Sequence, residues 1–429
     1  MTKLTMNRRQ LIKSTAAATL FAPSILSARR AHAAGGTLRI GYVSPRSGPL
    51  SQISESDGFV LEAVRAALGG SLETASGVFD IEIIDKDTQS DPNRAGDMAS
   101  DLIYQDEVDL MLVGSTPDTT NPVADLCELN GIPCISAATP WQSWYFGRGG
   151  TPMEKSFTYT NHFFWGAEDL LAVYFGLWAG LETNKVVGAL WPNDPDGIAF
   201  ADPKLGFPPA LKDAGFTLVD PGRYQNLKDD FSAEINSFKS AGVEIVTGVM
   251  LPPDLATFMA QAKQMGYTPK FVTVAKAALT PKGVASFPDG LGANLSGEYY
   301  WGPQFPYTSS LTGQSTQALC DAYVAATGNQ WLQGTGYVHA LFEAAVDTLK
   351  RATDINPDSI VEAMNATDLN TCVGHLKWGN FAVAPNVAKT PVAGGQWQVQ
   401  EDGSYELVCT FNDVAPDIVT NGTLAPKVW

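Results

Sequence analysis

The chain has only 4 histidines in 429 residues, and its 28 lysines and arginines stand against 45 aspartates and glutamates, a formal net charge of −17. A surface of that sign repels nucleic acid and anionic membrane, so neither is an expected partner. Cysteine is scarce too, five in all. Beyond residue 33 no apolar run approaches the roughly 20 residues that span a bilayer. No G-x-S-x-G elbow, H-E-x-x-H helix, phosphate-binding loop or G-x-G-x-x-G turn is present. His162, His339 and His375 stand in no nucleophile or metal-ligand spacing, so a hydrolase or metalloenzyme has little to build on, and no cofactor or metal is expected.

What is present begins with a leader. Arg8 and Arg9 are adjacent, residues 14–28 are alanine-rich and uncharged, and "AHA" at residues 31–33 is a small-residue cleavage site. Residues 1–33 therefore read as a twin-arginine export signal, with an amphipathic N-terminal helix as the alternative. The apolar stretch, interrupted by Pro23, is too short to span a membrane. The leader holds six basic residues and no acid, which leaves −23 on the remainder. Export implies the periplasm, where Cys127, Cys134, Cys320, Cys372 and Cys409 form up to two disulfides or stay as buried thiols; spacing leaves both open.

After the leader, apolar strands alternate with helical patterns. "TLRIGYVSP" is followed by "DGFVLEAVRAAL", "VDLMLVGS" by "TTNPVADLCELNG", and "IPCISA" closes the series. The same alternation restarts with "KVVGALWPND" and runs through "VEIVTGVML" and "PKFVTVAK". Near-continuous apolar strands separated by helices predict parallel sheets covered on both faces, here two α/β units in series. Ligands in such sheets bind beyond the carboxyl ends of the strands. In "CISAATPWQSW", small residues that let a ligand approach the backbone precede Trp141 and Trp144, which either cover a ligand or pack inward. Tyr300, in the turn-rich stretch "GEYYWG", is a third aromatic candidate, and Arg46, in the loop after the first strand, is a candidate for anion recognition.

The two-unit order, with "IGYVSPRSGPLS", "DTQSDPNRAGDMASDLI", "VDLMLVGS" leading to "NPVADLCELNGIPCISAATP", "DDFSAEINSFKSAGVEIV" and "GYVHALFEAAVDTLK", resembles the type I periplasmic solute-binding proteins of ABC importers, in the branched-chain amino-acid-binding family. The resemblance implies two doubly wound parallel-sheet lobes joined by three hinge crossings. The expected bounds are residues 37–157 with 290–368 for the first lobe and 158–289 with 369–429 for the second. It further implies a monomer that closes over a small solute and docks to an inner-membrane permease; presentation to a chemoreceptor or kinase is the alternative. Members that bind aliphatic amino acids hold the carboxylate at places that here are Ser115, Thr116, Asp118 and Thr119, and Ala137 with Thr139. Where such members carry an aromatic residue before a glycine, this chain has Asp196, and where they carry an acid for the ligand ammonium, it has Lys276. Lys276 is expected to reverse the charge preference of that end of the cleft, or to neutralise Asp196 across it.

Overall fold

The computed structural model describes residues 35–429, and the leader expected at residues 1–33 lies outside them. The strands, in chain order, are β1 (Thr37–Ser44), β2 (Ser71–Thr74), β3 (Gly77–Asp87), β4 (Leu110–Gly114), β5 (Cys134–Ala137), β6 (Thr160–Phe163), β7 (Val186–Pro192), β8 (Thr217–Val219), β9 (Arg223–Tyr224), β10 (Ile245–Val249), β11 (Phe271–Ala275), β12 (Ser296–Tyr299), β13 (Leu369–Thr371), β14 (Gly374–Leu376), β15 (Val387–Ala388), β16 (Ala393–Val399) and β17 (Tyr405–Phe411). The helices that bear on the site are α1 (Asp57–Leu68), α2 (Pro117–Asn130), α3 (Trp141–Tyr145), α4 (Ala167–Ala179), α5 (Pro195–Phe200), α6 (Pro252–Gln264) and α7 (Gly334–Arg351).

Two sheets organise the chain. The first runs β15-β6-β5-β4-β1-β3-β2 and the second β17-β16-β12-β11-β10-β7-β8, with β9 beside β7. Their parallel centres, β6-β5-β4-β1-β3 and β12-β11-β10-β7-β8, have the same order, so β1 and β7 occupy equivalent places. Antiparallel pairing within these two sheets is confined to their margins, where β2 joins β3, β16 joins β12 and β17 joins β16; β13 and β14 form a separate antiparallel pair. β5, β10 and β11 are buried along their whole length, and β4 along all but its last residue, which is why they read as apolar runs without alternation.

The chain leaves the first sheet after β6, returns after β12 and leaves again after β15. Aromatic rings knit these crossings together. Phe164 lies 4.4 Å from Trp165, 5.6 Å from Tyr300 and 4.9 Å from Tyr337, and the Tyr337 and Thr390 hydroxyls are hydrogen-bonded at 2.8 Å. Trp301 lies against the first turn of α7, where a Cβ at Gly336 would stand 2.3 Å from the indole nitrogen; glycine is what lets the ring in.

The expected lobe bounds are displaced at each crossing. β6 pairs with β5 and β15 in the first sheet, whereas β12 pairs with β11 and β16 in the second. β6 and β12 are short and carry polar residues that look like loop but are satisfied inside the fold. His162 on β6 shares hydrogen bonds with Ser136 Oγ at 2.9 Å and the Thr139 carbonyl at 2.7 Å, and Glu298 on β12 is buried. All five cysteines are free and buried. Among the described residues no helix is long and apolar enough to cross a membrane.

Candidate functional site

The loops after β1, β4 and β5 face the ends of β10 and β11 across a cavity between the two sheets. On the first-lobe wall, Ser115 and Thr116 lead from β4 into α2. Thr116 is the N-cap of α2, yet its hydroxyl makes no capping bond. Ser115 Oγ and Thr116 Oγ1 are both buried with no hydrogen-bond partner. Each such orphan costs about 1–3 kcal/mol, and the adjacent helix start favours negative charge. In the second lobe the equivalent connection from β10 into α6 passes through Met250 and Leu251, which carry no hydroxyl. Donors suited to an anion are thus concentrated on the first lobe.

The second lobe supplies charge. Lys276 follows β11 with a left-handed backbone, φ +69°, and is 8% exposed. Ala138, which follows β5 and also lines the cavity, has φ +63°. Strained backbone at equivalent strand ends of both lobes fits a site that needs fixed geometry. The Lys276 amide donates to Glu298 Oε1 at 2.9 Å, and its Nζ lies 2.9 Å from Asp196 Oδ2 and 3.5 Å from Asp194 Oδ2. Asp194 caps α5 by accepting from the Gly197 amide at 2.8 Å, and it also accepts from Asn226 at 2.9 Å. Burial opposes the lysine's charge, but Asp196 and Asp194 outweigh it and hold the ammonium above its ordinary range. Burial pushes Asp196 up; Asp194 is also buried, but Lys276 and the Gly197 amide hold it below the usual carboxylate range. Lys276 therefore does not reverse the charge of this end of the cleft, because two aspartates take up its single charge.

Three further acids surround the cavity. Asp57, at the start of α1, accepts from the Tyr42 hydroxyl at 2.8 Å, and burial pushes its carboxyl up to about 6. Asp118, in the first turn of α2, is pushed up to about 6 by burial against the pull of Lys276. Burial likewise raises Glu298. Between the polar ends the walls are apolar: Phe164, Trp165, Tyr300 and Tyr337 from the crossings and α7, and Phe200 from α5. The Trp165 indole N–H is buried without an acceptor.

Of the residues singled out in the sequence, Ser115, Thr116, Ala137, Asp196, Lys276 and Tyr300 line the cavity. Asp118 and Thr119 stand on α2 outside its lining. The Thr139 hydroxyl donates to the Ser115 carbonyl at 2.9 Å and holds that loop instead of facing the cavity. Arg46 is drawn away by Asp85 at 2.9 Å. Trp141 and Trp144 pack inward, in a separate aromatic cluster. Trp141 donates to Glu168 at 2.9 Å, while Trp144 stacks on His162 at 4.8 Å and carries the Arg148 guanidinium 4.5 Å above its ring. Enclosed there, His162 is pushed down to about 3 by burial. Asp57, Glu298 and Tyr337 were not legible as site residues: an acid at a helix start reads as helix-dipole complement, and the other two lie in segments read as turn and as core helix.

The sequence model of the family described as periplasmic binding protein matches residues 37–399. Leu/Ile/Val-binding protein homolog 7 of Brucella melitensis is 22% identical over 390 residues, 89% of this chain and 93% of its own. The fold is similar to that of the leucine-binding protein LivK of Thermotoga maritima MSB8, with a TM-score of 0.70 and 15% identity over 88% of this chain and 99% of that one. It is also similar to an ABC-transporter solute-binding protein of Rhodopseudomonas palustris BisB5 in complex with 3,4-dihydroxybenzoic acid, with a TM-score of 0.67 and 16% identity over 87% and 96% of the two chains. With two α/β lobes of like topology facing one cavity, and the family's sequence pattern running from β1 to β16, the chain belongs to the periplasmic binding protein family.

Proposed function

We propose that this protein is the extracytoplasmic solute-binding subunit of an ABC importer. It is exported by its twin-arginine leader, works in the periplasm as a monomer, captures a small carboxylate or amino-acid-like solute by closing its lobes, and presents the closed form to an inner-membrane permease. The observation that carries this reading is the pair of unpartnered hydroxyls, Ser115 and Thr116, at the start of α2 inside an interlobe cavity with aromatic walls. A carboxylate there satisfies both hydroxyls and gains from the helix start. Contacts between the lobes at the rim, such as Thr280 Oγ1 donating to Gln52 Oε1 at 3.2 Å, support a closed form that binding would favour. The solute undergoes no covalent change.

The test is thermal stabilisation of the exported protein, stripped of endogenous ligand, by paired carboxylic acids and their primary amides. At about 100 times the dissociation constant a ligand adds roughly 2.7 kcal/mol, which is readily seen. Acids should stabilise and amides should not, and Ser115→Ala with Thr116→Val should weaken binding by roughly 1.5–3 kcal/mol per lost charged hydrogen bond. Equal stabilisation by amides, or an unaffected double variant, overturns the reading.

A further inference from the structure

We propose that Asp57 is a specificity-determining residue of the cleft: its carboxylate receives an ammonium group of the solute, so that the first lobe holds both charges of a zwitterion. This rests on the reading that Ser115 and Thr116 bind a small carboxylate. The cavity is lined by three acids, Asp57, Asp196 and Glu298, and one base, Lys276. Lys276 Nζ lies 2.9 Å from Asp196 and 3.5 Å from Asp194, so its single charge is divided between two carboxylates of the second lobe. Glu298 accepts from the Lys276 amide at 2.9 Å on one oxygen and from the Tyr174 hydroxyl at 3.4 Å on the other.

Asp57 is served on one side only. It is 1% exposed, its Oδ2 accepts from the Tyr42 hydroxyl at 2.8 Å, and its Oδ1 is buried with no hydrogen bond. Among the described residues no basic side chain pairs with it, and Arg46, the base of its own β1–α1 connection, is taken by Asp85 at 2.9 Å. Ser44, at the end of β1, stands beside the carboxyl with a hydroxyl that is itself buried and unbonded; a hydroxyl supplies a dipole but no countercharge. Burial pushes the carboxyl up to about 6, which still leaves it ionised in neutral solution. An ionised carboxylate enclosed without a cation is costly, and a cation that reaches it is held far more strongly than in water. Asp196 Oδ1 is open as well, but that carboxyl group already holds Lys276, and a second cation there meets a like charge.

The two subsites are neighbours. β1 and β4 are adjacent and parallel, with Val43 beside Val113; Asp57 is tied to β1 through Tyr42, while Ser115 and Thr116 follow β4. Adjacent strands lie about 4.8 Å apart, so a short carbon chain can join a carboxylate at the hydroxyls to an ammonium at Asp57.

Calorimetric titration of the ligand-stripped protein with two matched series tests this. One is leucine, 2-hydroxy-4-methylpentanoate and 4-methylpentanoate; the other is phenylalanine, 3-phenyllactate and 3-phenylpropionate. In a series that binds, the amino acid should be tighter than its two partners by about tenfold or more, because it alone brings a countercharge. Partners that bind as tightly as the amino acid overturn the inference while leaving the carboxylate reading intact. Absence of binding by every member overturns the carboxylate reading itself, and the inference with it. In Asp57→Asn the preference should collapse to about threefold or less through weaker binding of the amino acid, with the other two acids bound as before or more tightly. An amino-acid preference that survives in Asp57→Asn assigns the ammonium to another acid and overturns the inference. The same collapse is expected of Asp57→Ser, the neutral variant to use should asparagine impair folding.

Discussion

Replacing Lys276 with methionine should destabilise the unliganded protein, and more so at high pH. With an effective dielectric constant near 20, a charge pair at the 2.9 Å and 3.5 Å separations from Asp196 and Asp194 attracts by about 5–6 kcal/mol each. Several kcal/mol of this is cancelled by the cost of desolvating the ammonium, so the net worth of the cluster is far below the sum. Methionine removes the attraction and that cost together but leaves two carboxylates, 2% and 7% exposed, facing each other without a cation. Breaking a buried pair in this way costs about 3–5 kcal/mol. The stranded carboxylates escape by taking up a proton, and each pH unit over which one proton is bound returns about 1.4 kcal/mol. The loss should therefore be large at pH 8 and shrink at pH 5. Urea denaturation midpoints, read by tryptophan fluorescence, measure it, and Lys276→Met with Asp196→Asn should recover most of the loss. A Lys276→Met protein as stable as the original at both pH values refutes the buried cluster.

Two other substitutions separate parts of the site. Asp57 has its carboxyl raised from 3.8 to about 6 by burial, so its stabilising protonation is complete below about pH 4 and lost as pH rises through about 6. Asp57→Asn, which keeps an acceptor for Tyr42, should be neutral at pH 4 and more stable than the original by up to about 3 kcal/mol at pH 8; a gap that stays constant with pH, or opens the other way, argues against a buried carboxyl. Trp144→Ala removes a fully buried ring from between His162 and Arg148 and should cost about 3–5 kcal/mol of stability. Its folded fraction should bind solute with unchanged affinity, and a selective loss of binding would return Trp144 to the cleft.

The strands at the centre of each sheet are legible because burial on both faces writes them as unbroken apolar runs. Strand ends then direct attention to Ser115, Thr116 and Lys276, the polar residues that follow β4 and β11. Beyond that point local reading runs out. Asp194 holds Lys276 from 82 positions away, and no spacing rule connects them. Trp141 and Trp144 follow β5 as a ligand cover would, but a tryptophan after a strand can turn either way. Here the Glu168 carboxylate in the first turn of α4 and the His162 ring on β6 draw them inward. β6 and β12 were hidden by the polar side chains that make them useful. Asn161 and His162 join the first sheet to its neighbours, and Glu298 fixes the Lys276 backbone.

On the proposed reading, closure needs a reason to wait for solute. A ligand shifts a two-state equilibrium only by its differential affinity, and moving it from 1:99 to 99:1 takes about 5.5 kcal/mol. Ser115 Oγ, Thr116 Oγ1 and Trp165 Nε1 are buried without a hydrogen-bond partner. At about 1–3 kcal/mol each they penalise the empty closed form by roughly 3–9 kcal/mol relative to an open form in which water reaches them. A solute that satisfies them removes the penalty, so the atoms that recognise it also set the switch. Ser115→Ala, Thr116→Val and Trp165→Phe together delete the orphans with little change of shape. The triple variant should therefore close without ligand, and its radius of gyration by small-angle scattering should fall to that of the liganded original protein. A triple variant that remains as open as the unliganded original would show that some other feature, and not the unpaired donors, holds the lobes apart.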